Sequence, residues 1–255
     1  MDVKTWTQRF FYEDSKIEWH CPNCGGKSLE ILKDKFVSEE TQDSRKMRLK
    51  DDNWETNWIE LNISGQMQCK NCKEFVFFIG KGNPEEFGYY DPTIDDYVQE
   101  VQTSFIPLYV YPTIHIFEIP EKCPTIVKDG IIESFSVYWT DLESCANKIR
   151  ISLEHLMDSF KIKKFNLSSQ RKRIPLTLHS RINLFPISEV KDILLAIKWI
   201  GNVGSHSKTS LETIDIIETY KLYEFALQKV YGDEKEIAKI AKQINNKKGK
   251  RNRGI

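Results

Sequence analysis

Four of the six cysteines in this chain stand in two Cys-x-x-Cys pairs, and they are the residues whose spacing most clearly predicts chemistry. The pairs are Cys21–Cys24 and Cys69–Cys72. Two intervening residues let one tight turn direct two thiolates at the same ion, and four thiolates complete a tetrahedral structural zinc site with no position left for water. We therefore expect one structural Zn²⁺ per chain. His20 precedes the first pair but is not needed as a ligand.

A second candidate for chemistry is the segment from Gly201 to His206, which follows an apolar helical run. Glycine and asparagine commonly end helices, so the segment is first interpreted as a C-cap. Thr209 and Glu212 have the spacing of a capping box, which predicts that another helix starts almost at once. His206 is then expected between two packed helices, where it can either transfer protons near neutral pH or form a structural hydrogen bond.

The composition of the 255 residues limits the class of protein. Hydrophobic residues make up 40% and charged residues 29%, values typical of globular proteins. The formal net charge is zero, so no overall basic field attracts nucleic acid. No run is long and apolar enough for a bilayer, no signal-peptide core is visible, and reduced cysteine pairs suit a cytoplasmic protein with no membrane association.

The pattern of the first half predicts a small β zinc ribbon over residues 1–100, with a charged insertion at 34–58. Residues 82–95 are rich in Gly, Pro and acidic residues and are interpreted as a linker or loop. The run Phe75–Ile79 has strand spacing; it is expected to be core, with an RNA-binding aromatic platform as the alternative. Residues 101–125 form a β-rich connector, whose Pro107 and Pro112 predict an edge strand.

Residues 126–232 carry helical periodicity and are expected to form an antiparallel four-helix bundle. One long helix is predicted through an apolar seam that runs from Phe135 to Phe160. A short helix follows over 176–184. A third begins with Ser188 as its cap, and a fourth extends from Thr209, through apolar positions that include Ile217, Phe225 and Val230, to a stop at Gly232. Residues 233–255 form a polar helix and a basic tail. The overall fold class is therefore α+β.

The helical part, roughly 120–232, resembles the HEPN superfamily of nucleotide-binding domains. The resemblance rests on Arg150 and Glu154 of the long helix, the Leu-rich short helix, and the stretch Ile197–Asn202 that continues to His206. More specifically, it resembles a branch of unknown function that is found alone, behind zinc ribbons or appended to type I restriction subunits. Many HEPN proteins are metal-independent ribonucleases that act as dimers, so the resemblance implies a homodimer and Asn202 and His206 as site residues.

The chain departs from the HEPN signature at one position. An arginine is expected just before the asparagine, but Gly201 stands there. Cleavage of RNA by its own 2′-hydroxyl needs an acid or base, which His206 can supply, and a cation for the phosphorane charge. Arg150, on a polar row with Glu143, Asn147 and Glu154, is the candidate substitute; the alternative is a solvated Arg150–Glu154 ion pair.

Three functions remain open from the sequence. We expect a nucleic-acid- or nucleotide-binding HEPN-like module, non-catalytic or weakly catalytic, with Lys198, Asn202 and His206 binding RNA or nucleotide. The alternative is a metal-independent ribonuclease whose catalytic residues are His206, Asn202 and Arg150. A third is a dimerisation unit. The resemblance implies a context of prokaryotic antiviral defence, restriction or toxin–antitoxin systems, with a protein partner in such a complex.

Overall fold

The computed structural model of the protein describes residues 1–206 and 210–232, together with residues 242 and 245. Helix accounts for 41% and strand for 25% of the structure, with the large sheet and the cluster of four cysteines in the N-terminal part and most helices in the C-terminal part. The α+β class predicted from the sequence is therefore confirmed. In the described part of the chain, no helix combines the length and apolarity that a membrane span requires.

The chain divides into two compact units. The N-terminal unit comprises Asp2–Ile116 and Phe135–Leu142, and the C-terminal unit comprises Met1, Phe117–Ser134 and Glu143–Ile255.

The N-terminal unit is built on one five-stranded antiparallel sheet. Its elements are α1 (Val3–Thr7), β1 (Leu29–Ile31), β2 (Val37–Glu40), α2 (Gln42–Lys50), β3 (Leu61–Cys69), β4 (Phe75–Asp91) and β5 (Asp96–Tyr111). The strand order is β1-β3-β4-β5, and β2 also pairs with β3. β5 ends this order, so the edge strand predicted from its prolines is confirmed.

The core of the N-terminal unit is aromatic. Trp6 and Trp19 stack with 6.4 Å between ring centroids, and Phe11 meets Phe78 edge-on at 5.6 Å. Backbone hydrogen bonds join Phe11 to Phe105 of β5 in both directions, at 2.9 and 2.8 Å. This bridge places the N-terminal segment beside β5. The ring of Phe11 packs on Phe78 and Phe105, so side chains of this segment cover one face of the sheet.

The loop expected at residues 82–95 is not a loop. β4 continues to Asp91 and pairs with β5 up to Asp91↔Asp96, whereas β3 begins only at Leu61, which lies opposite Gly82. Residues 83–104 therefore form a two-stranded arm beyond the sheet. The sequence did not predict these strands because their acidic residues, glycine and prolines are typical of a turn. Hydrogen bonds between the two strands pair their backbone groups, so the strands form although their sequence lacks an apolar pattern.

The C-terminal unit is mainly helical. Its elements are α3 (Thr125–Val137), α4 (Leu142–Ser159), β6 (Phe165–Leu167), β7 (Arg173–Pro175), α5 (Leu178–Asn183), α6 (Lys191–His206) and α7 (Thr213–Tyr231), with the end of α3 falling in the other unit. Buried hydroxyls link the helices: Tyr220 donates to Ser134 at 2.9 Å, and Ser152 donates to Tyr223 at 3.0 Å. Tyr220 and Tyr223 are core residues of α7, whereas Phe225, which was expected in the core, is 49% exposed.

The long helix predicted through Phe135 and Phe160 is two helices. The chain turns at Tyr138–Asp141, where Trp139 lies 4.9 Å from Trp19 between ring centroids and Arg9 donates to the carbonyl of Trp139. The contact between Trp139 and Trp19 stabilises this turn, although apolar residues continue across it at intervals of three and four residues. Most of the apolar seam, from Ala146 to Leu156, is buried as expected.

The helix boundaries after residue 176 differ in part from the predictions. α5 and the stop of α7 at Gly232 agree with the sequence. Ser188 opens a 3-10 turn, Ser188–Val190, rather than capping α6. α7 begins at Thr213, where Glu212 and Asp215 form the capping box; Thr209 lies outside the described residues.

Candidate functional site

The four paired cysteines come together at the end of the sheet where β3 leads into β4. Their sulfur atoms all lie within 4.8 Å of one another, with Cys21 3.5 Å from Cys72 and Cys24 3.6 Å from Cys69. Sulfurs bound tetrahedrally at about 2.3 Å from one ion are about 3.8 Å apart, so the spacing is compatible with a metal site. His20 is not part of the group. Its Nδ1 lies 3.2 Å from the carbonyl oxygen of His115.

The two Cys-x-x-Cys turns have the same backbone hydrogen bonds. In the first, the carbonyl of Cys21 accepts from Gly25 at 2.9 Å and its N–H donates to Gly26 at 3.0 Å. In the second, Cys69 pairs in the same way with Lys73 at 2.9 Å and Glu74 at 2.8 Å. The residue after each second cysteine is left-handed, with φ of 70° at Gly25 and 66° at Lys73. This shared geometry places both thiols of each turn on the same side.

The environment of the thiols differs from one cysteine to the next. Burial raises the pKa of Cys21 to about 12. Burial also acts on Cys69, but hydrogen bonds from the backbone of Cys72 and from the hydroxyl of Ser28 outweigh it and lower the pKa of Cys69 to about 6. A divalent cation favours the thiolate form of every ligand, so binding it releases protons from the cluster. Cys123 and Cys145 are buried in the other unit, as expected for ordinary core thiols.

The segment from Gly201 to His206 is not a helix stop, which corrects the sequence interpretation. α6 runs through to His206, so Gly201 and Asn202 lie within it. Lys198, Asn202 and His206 therefore follow one another at intervals of four along the helix. Asn202 is half-buried. The backbone of His206 belongs to α6, and its side chain lies outside the described residues.

Gly201 allows α4 and α6 to approach closely. A Cβ at position 201 would lie 2.6 Å from the Cβ of Arg150 and 3.1 Å from the carbonyl oxygen of Ala146. The glycine that replaces the signature arginine is thus fixed by helix packing, and Arg150 of α4 occupies the space beside it. Sequence spacing could not show this, since it depends on a contact between residues 51 positions apart.

Arg150 and Lys198 form the centre of a cationic cluster with Glu154, His179 and Trp199. Lys198 is 8% exposed, and burial together with the charge of Arg150 lowers its pKa. Its Nζ lies 3.2 Å from the centroid of the Trp199 ring. Arg150 forms the expected ion pair with Glu154 at 3.3 Å, but its buried Nε has no hydrogen-bond partner.

The cluster includes two residues that the sequence did not single out as site residues. Trp199 is 55% exposed, and its ring centroid lies 6.1 Å from that of His179. An exposed aromatic ring beside two cations is suited to a ligand that has both a planar base and an anionic group. The sequence did not indicate an exposed role for Trp199, because this residue continues the apolar run of α6 and a tryptophan in such a run usually lies in the core.

Other titratable side chains of these elements occupy structural positions. Glu143 accepts a hydrogen bond from the backbone of Leu211 at 3.3 Å, and the Nδ1 of His155 lies 3.1 Å from the carbonyl of Ile126. Burial and the charge of His20 lower the pKa of His115. The basic tail, 247–253, lies outside the described residues.

Two families of unknown function match the chain. Residues 9–110 match a family model described as domain of unknown function DUF8608, and residues 133–248 match one described as domain of unknown function DUF4145. The first range contains all four paired cysteines, and the second contains Arg150, Lys198 and Asn202. Each range is less than half of the chain. No curated protein and no solved structure matches the chain.

Proposed function

We propose that the protein is a nucleic-acid- or nucleotide-binding module of the HEPN-like type, with the cationic cluster as its anion site. The observation that carries the proposal is the pairing of Arg150 with Lys198 on neighbouring helices. Among the described residues, Glu154 is the only carboxylate that pairs with either cation. The two cations therefore leave a net positive charge beside the exposed ring of Trp199. A phosphate can accept from the guanidinium of Arg150, whose side chain is 32% exposed, while a base stacks on the tryptophan.

Binding of a fluorescent mononucleotide and of labelled RNA to the full chain tests this proposal. We expect Arg150→Ala and Lys198→Ala each to weaken binding roughly tenfold, since a hydrogen bond to a charged group contributes about 1.5–3 kcal/mol. The matched control is Lys148→Ala. Lys148 lies on α4, as Arg150 does, and its ion pair with Glu133 is on the surface. Equal affinity in all three variants would refute the anion site.

The second candidate is a metal-independent ribonuclease that acts through His206 as a homodimer. It is favoured by the four-residue intervals that link Lys198, Asn202 and His206 on α6. The missing signature arginine is expected to cost about 3–4 kcal/mol of transition-state stabilisation, so at most slow cleavage is predicted unless Arg150 or Lys198 replaces it.

RNA cleavage in excess EDTA separates the two candidates. Cleavage that is abolished by His206→Ala establishes the enzyme. Binding without cleavage in the wild type supports the non-catalytic module. Light scattering at micromolar concentration tests the dimer, and a monomer under those conditions would contradict it.

The cysteine cluster is proposed to hold a structural Zn²⁺ in a zinc ribbon. Four thiolates are the ligand set that zinc prefers in closed structural sites, and all four positions around the ion are then taken by protein. The ion is expected to stabilise the N-terminal unit rather than to take part in chemistry. We also propose that the protein works with a partner in a prokaryotic defence or restriction complex, a context implied by the HEPN resemblance.

A further inference from the structure

The two-stranded arm has an unpaired strand edge. β3 begins at Leu61, opposite Gly82, so β4 has no strand beside it on that side from Asn83 onward. Among the described residues, β5 is the only strand that pairs with residues 83–91 of β4. Every second residue of a strand directs its N–H and C=O to the same edge, so this edge can pair with a further strand. We call it the free edge.

A cavity of about 610 Å³ lies at the base of the free edge, a volume within the range of ligand sites, about 300–1,000 Å³. It is lined by two residues of β4, Glu85 and Glu86, and by four residues that precede β3, namely Trp54, Glu55, Thr56 and Asn57. Successive side chains of a strand point to opposite faces, so a cavity that contacts both Glu85 and Glu86 spans the edge of β4. The hydroxyl of Thr56 donates to Glu86 and joins the two walls.

The cavity and the arm are acidic. Residues 83–104 contain six carboxylates and residues 51–60 contain four, and neither range contains a lysine or an arginine. The cations closest to these ranges along the chain are two lysines and Arg48, and Arg48 is already paired with Glu40 at 2.6 Å. Carboxylates are therefore in excess, so the region attracts a cation and repels a polyanion.

The carboxylates of the arm are concentrated on one of its faces. Directly paired residues point to the same face, as does every second residue of one strand. Glu85 and Asp91 of β4 therefore share a face with Glu100 and Asp96 of β5, which lie opposite Phe87 and Asp91. A strand added at the free edge would place alternate side chains on this acidic face.

The free edge and the cavity together specify the class of ligand. Hydrogen bonding along a strand edge needs peptide groups at regular intervals, which an extended polypeptide supplies, and pockets beside the edge select its side chains. The carboxylates of the cavity select a cationic side chain, and Trp54 offers an apolar wall for its methylene groups. A lysine or arginine residue in an extended segment meets both requirements, whereas a nucleic acid meets neither.

We propose that the free edge binds an extended basic segment of a partner protein. The segment adds a strand beside residues 83–91 of β4 and places a lysine or arginine side chain in the cavity. Basic residues at every second position of the segment also face the carboxylates of the acidic face. All of these contacts lie within the N-terminal unit, so the inference does not rest on the function proposed for the cationic cluster.

Fluorescence anisotropy with a labelled peptide of about ten residues, in which arginine and threonine alternate, tests the proposal on the full chain. We expect this peptide to bind and the same peptide with glutamate in place of arginine not to bind. Two further peptides keep the charge but carry N-methyl groups, one on every arginine and one on every threonine. Only one of these sets can direct its N–H groups at β4, so one methylated peptide should bind about tenfold more weakly or worse, and the other should retain affinity.

Isosteric variants test the cavity. Glu85→Gln and Glu86→Gln keep the shape of the side chain and remove its charge, so each should weaken binding of the arginine peptide about threefold. The matched control is Glu121→Gln, because Glu121 is an exposed carboxylate of the other unit, and it should leave binding unchanged. Trp54→Ala should also weaken binding, whereas Trp54→Phe keeps an apolar wall and should retain it.

Three results would overturn the inference. The first is a wild-type protein that does not bind the arginine peptide. The second is equal binding of the two N-methylated peptides or of the glutamine variants and the wild type, which leaves only general attraction between opposite charges. The third is a wild-type dimer that becomes a monomer in light scattering when an Asn-Gly turn replaces residues 87–100, because a second copy of the chain then occupies the free edge.

Discussion

Gly201 of α6 packs so closely against Arg150 of α4 that a Cβ on the glycine would lie 2.6 Å from the Cβ of the arginine. Two helices can approach this closely only where one of them lacks a side chain. The same contact places the guanidinium-bearing residue of α4 near Lys198 of α6, whose pKa its charge lowers. The position that lacks an arginine in the sequence therefore has one next to it in the structure.

Restoring the signature arginine is expected to damage the fold rather than create an enzyme. Gly201→Ala gains about 1 kcal/mol of helix propensity but forces apart two packed backbones, so we expect a net loss of about 1–2 kcal/mol in unfolding free energy. Gly201→Arg should destabilise more and should not increase RNA cleavage. Chemical denaturation measures the loss. Gly88→Ala is the control, since its Cβ would meet only an ordinary contact at 3.7 Å; a cleavage rate raised by Gly201→Arg would contradict this account.

Cys69→Ser is expected to unfold the N-terminal unit while most of the helical signal remains. One of four metal ligands is lost, and structural metal binding is coupled to folding. Metal analysis should find about one zinc per chain in the wild type and well under one in the variant. Cys123→Ser changes a buried cysteine outside the cluster and should leave the metal content unaltered. A wild-type protein that folds without metal would show that the cluster is not structural.

The left-handed residues of the two cysteine turns predict opposite responses to substitution. Gly25→Ala places a Cβ at φ 70° and should lower the unfolding free energy by about 1 kcal/mol. Lys73→Gly relieves the same conformation at φ 66° and should be neutral or stabilising by up to about 1 kcal/mol. The affinity for zinc in a chelator competition should change in the same direction. Lys70→Gly, in the same turn but without a positive φ, should not stabilise.

Asp158 is expected to make the helical unit sensitive to acid. Burial raises the pKa of Asp158, but hydrogen bonds from Lys164 and Arg181 outweigh it, so the pKa lies below its ordinary value of 3.8. The stabilisation is therefore complete above that ordinary value and is lost as the pH falls through the lower pKa of the folded state. Melting temperatures measured from neutral pH down to about pH 3 should show this loss in the wild type.

Asp158→Ala should abolish that pH dependence and lower the unfolding free energy by about 3 kcal/mol. Its partner Arg181, which donates to Asp158 at 2.5 Å, is only 5% exposed and would be left as a buried charge. The surface pair Lys148–Glu133 provides the comparison, because exposed ion pairs contribute about 0–1 kcal/mol. A similar small loss for both pairs would show that Arg181 finds another partner.

The sequence by itself determined the features that depend on local spacing. The four clustered cysteines follow from two Cys-x-x-Cys turns, and the helical second half follows from apolar residues repeated every three or four positions. The edge character of β5 follows from its prolines, which cannot donate ladder hydrogen bonds. In each case the physical cause acts within a few residues, so the pattern survives whatever the rest of the chain does.

Only the tertiary structure decided the features that depend on distant contacts. α6 passes through Gly201 because packing against Arg150 favours a glycine within the helix, although glycine locally favours an end. The predicted long helix breaks at Tyr138 because Trp139 packs against Trp19. Phe77 is exposed while Phe78 is buried because the N-terminal segment covers one face of the sheet, and nothing in the Phe-rich run itself distinguishes a strand with one covered face from a strand with two.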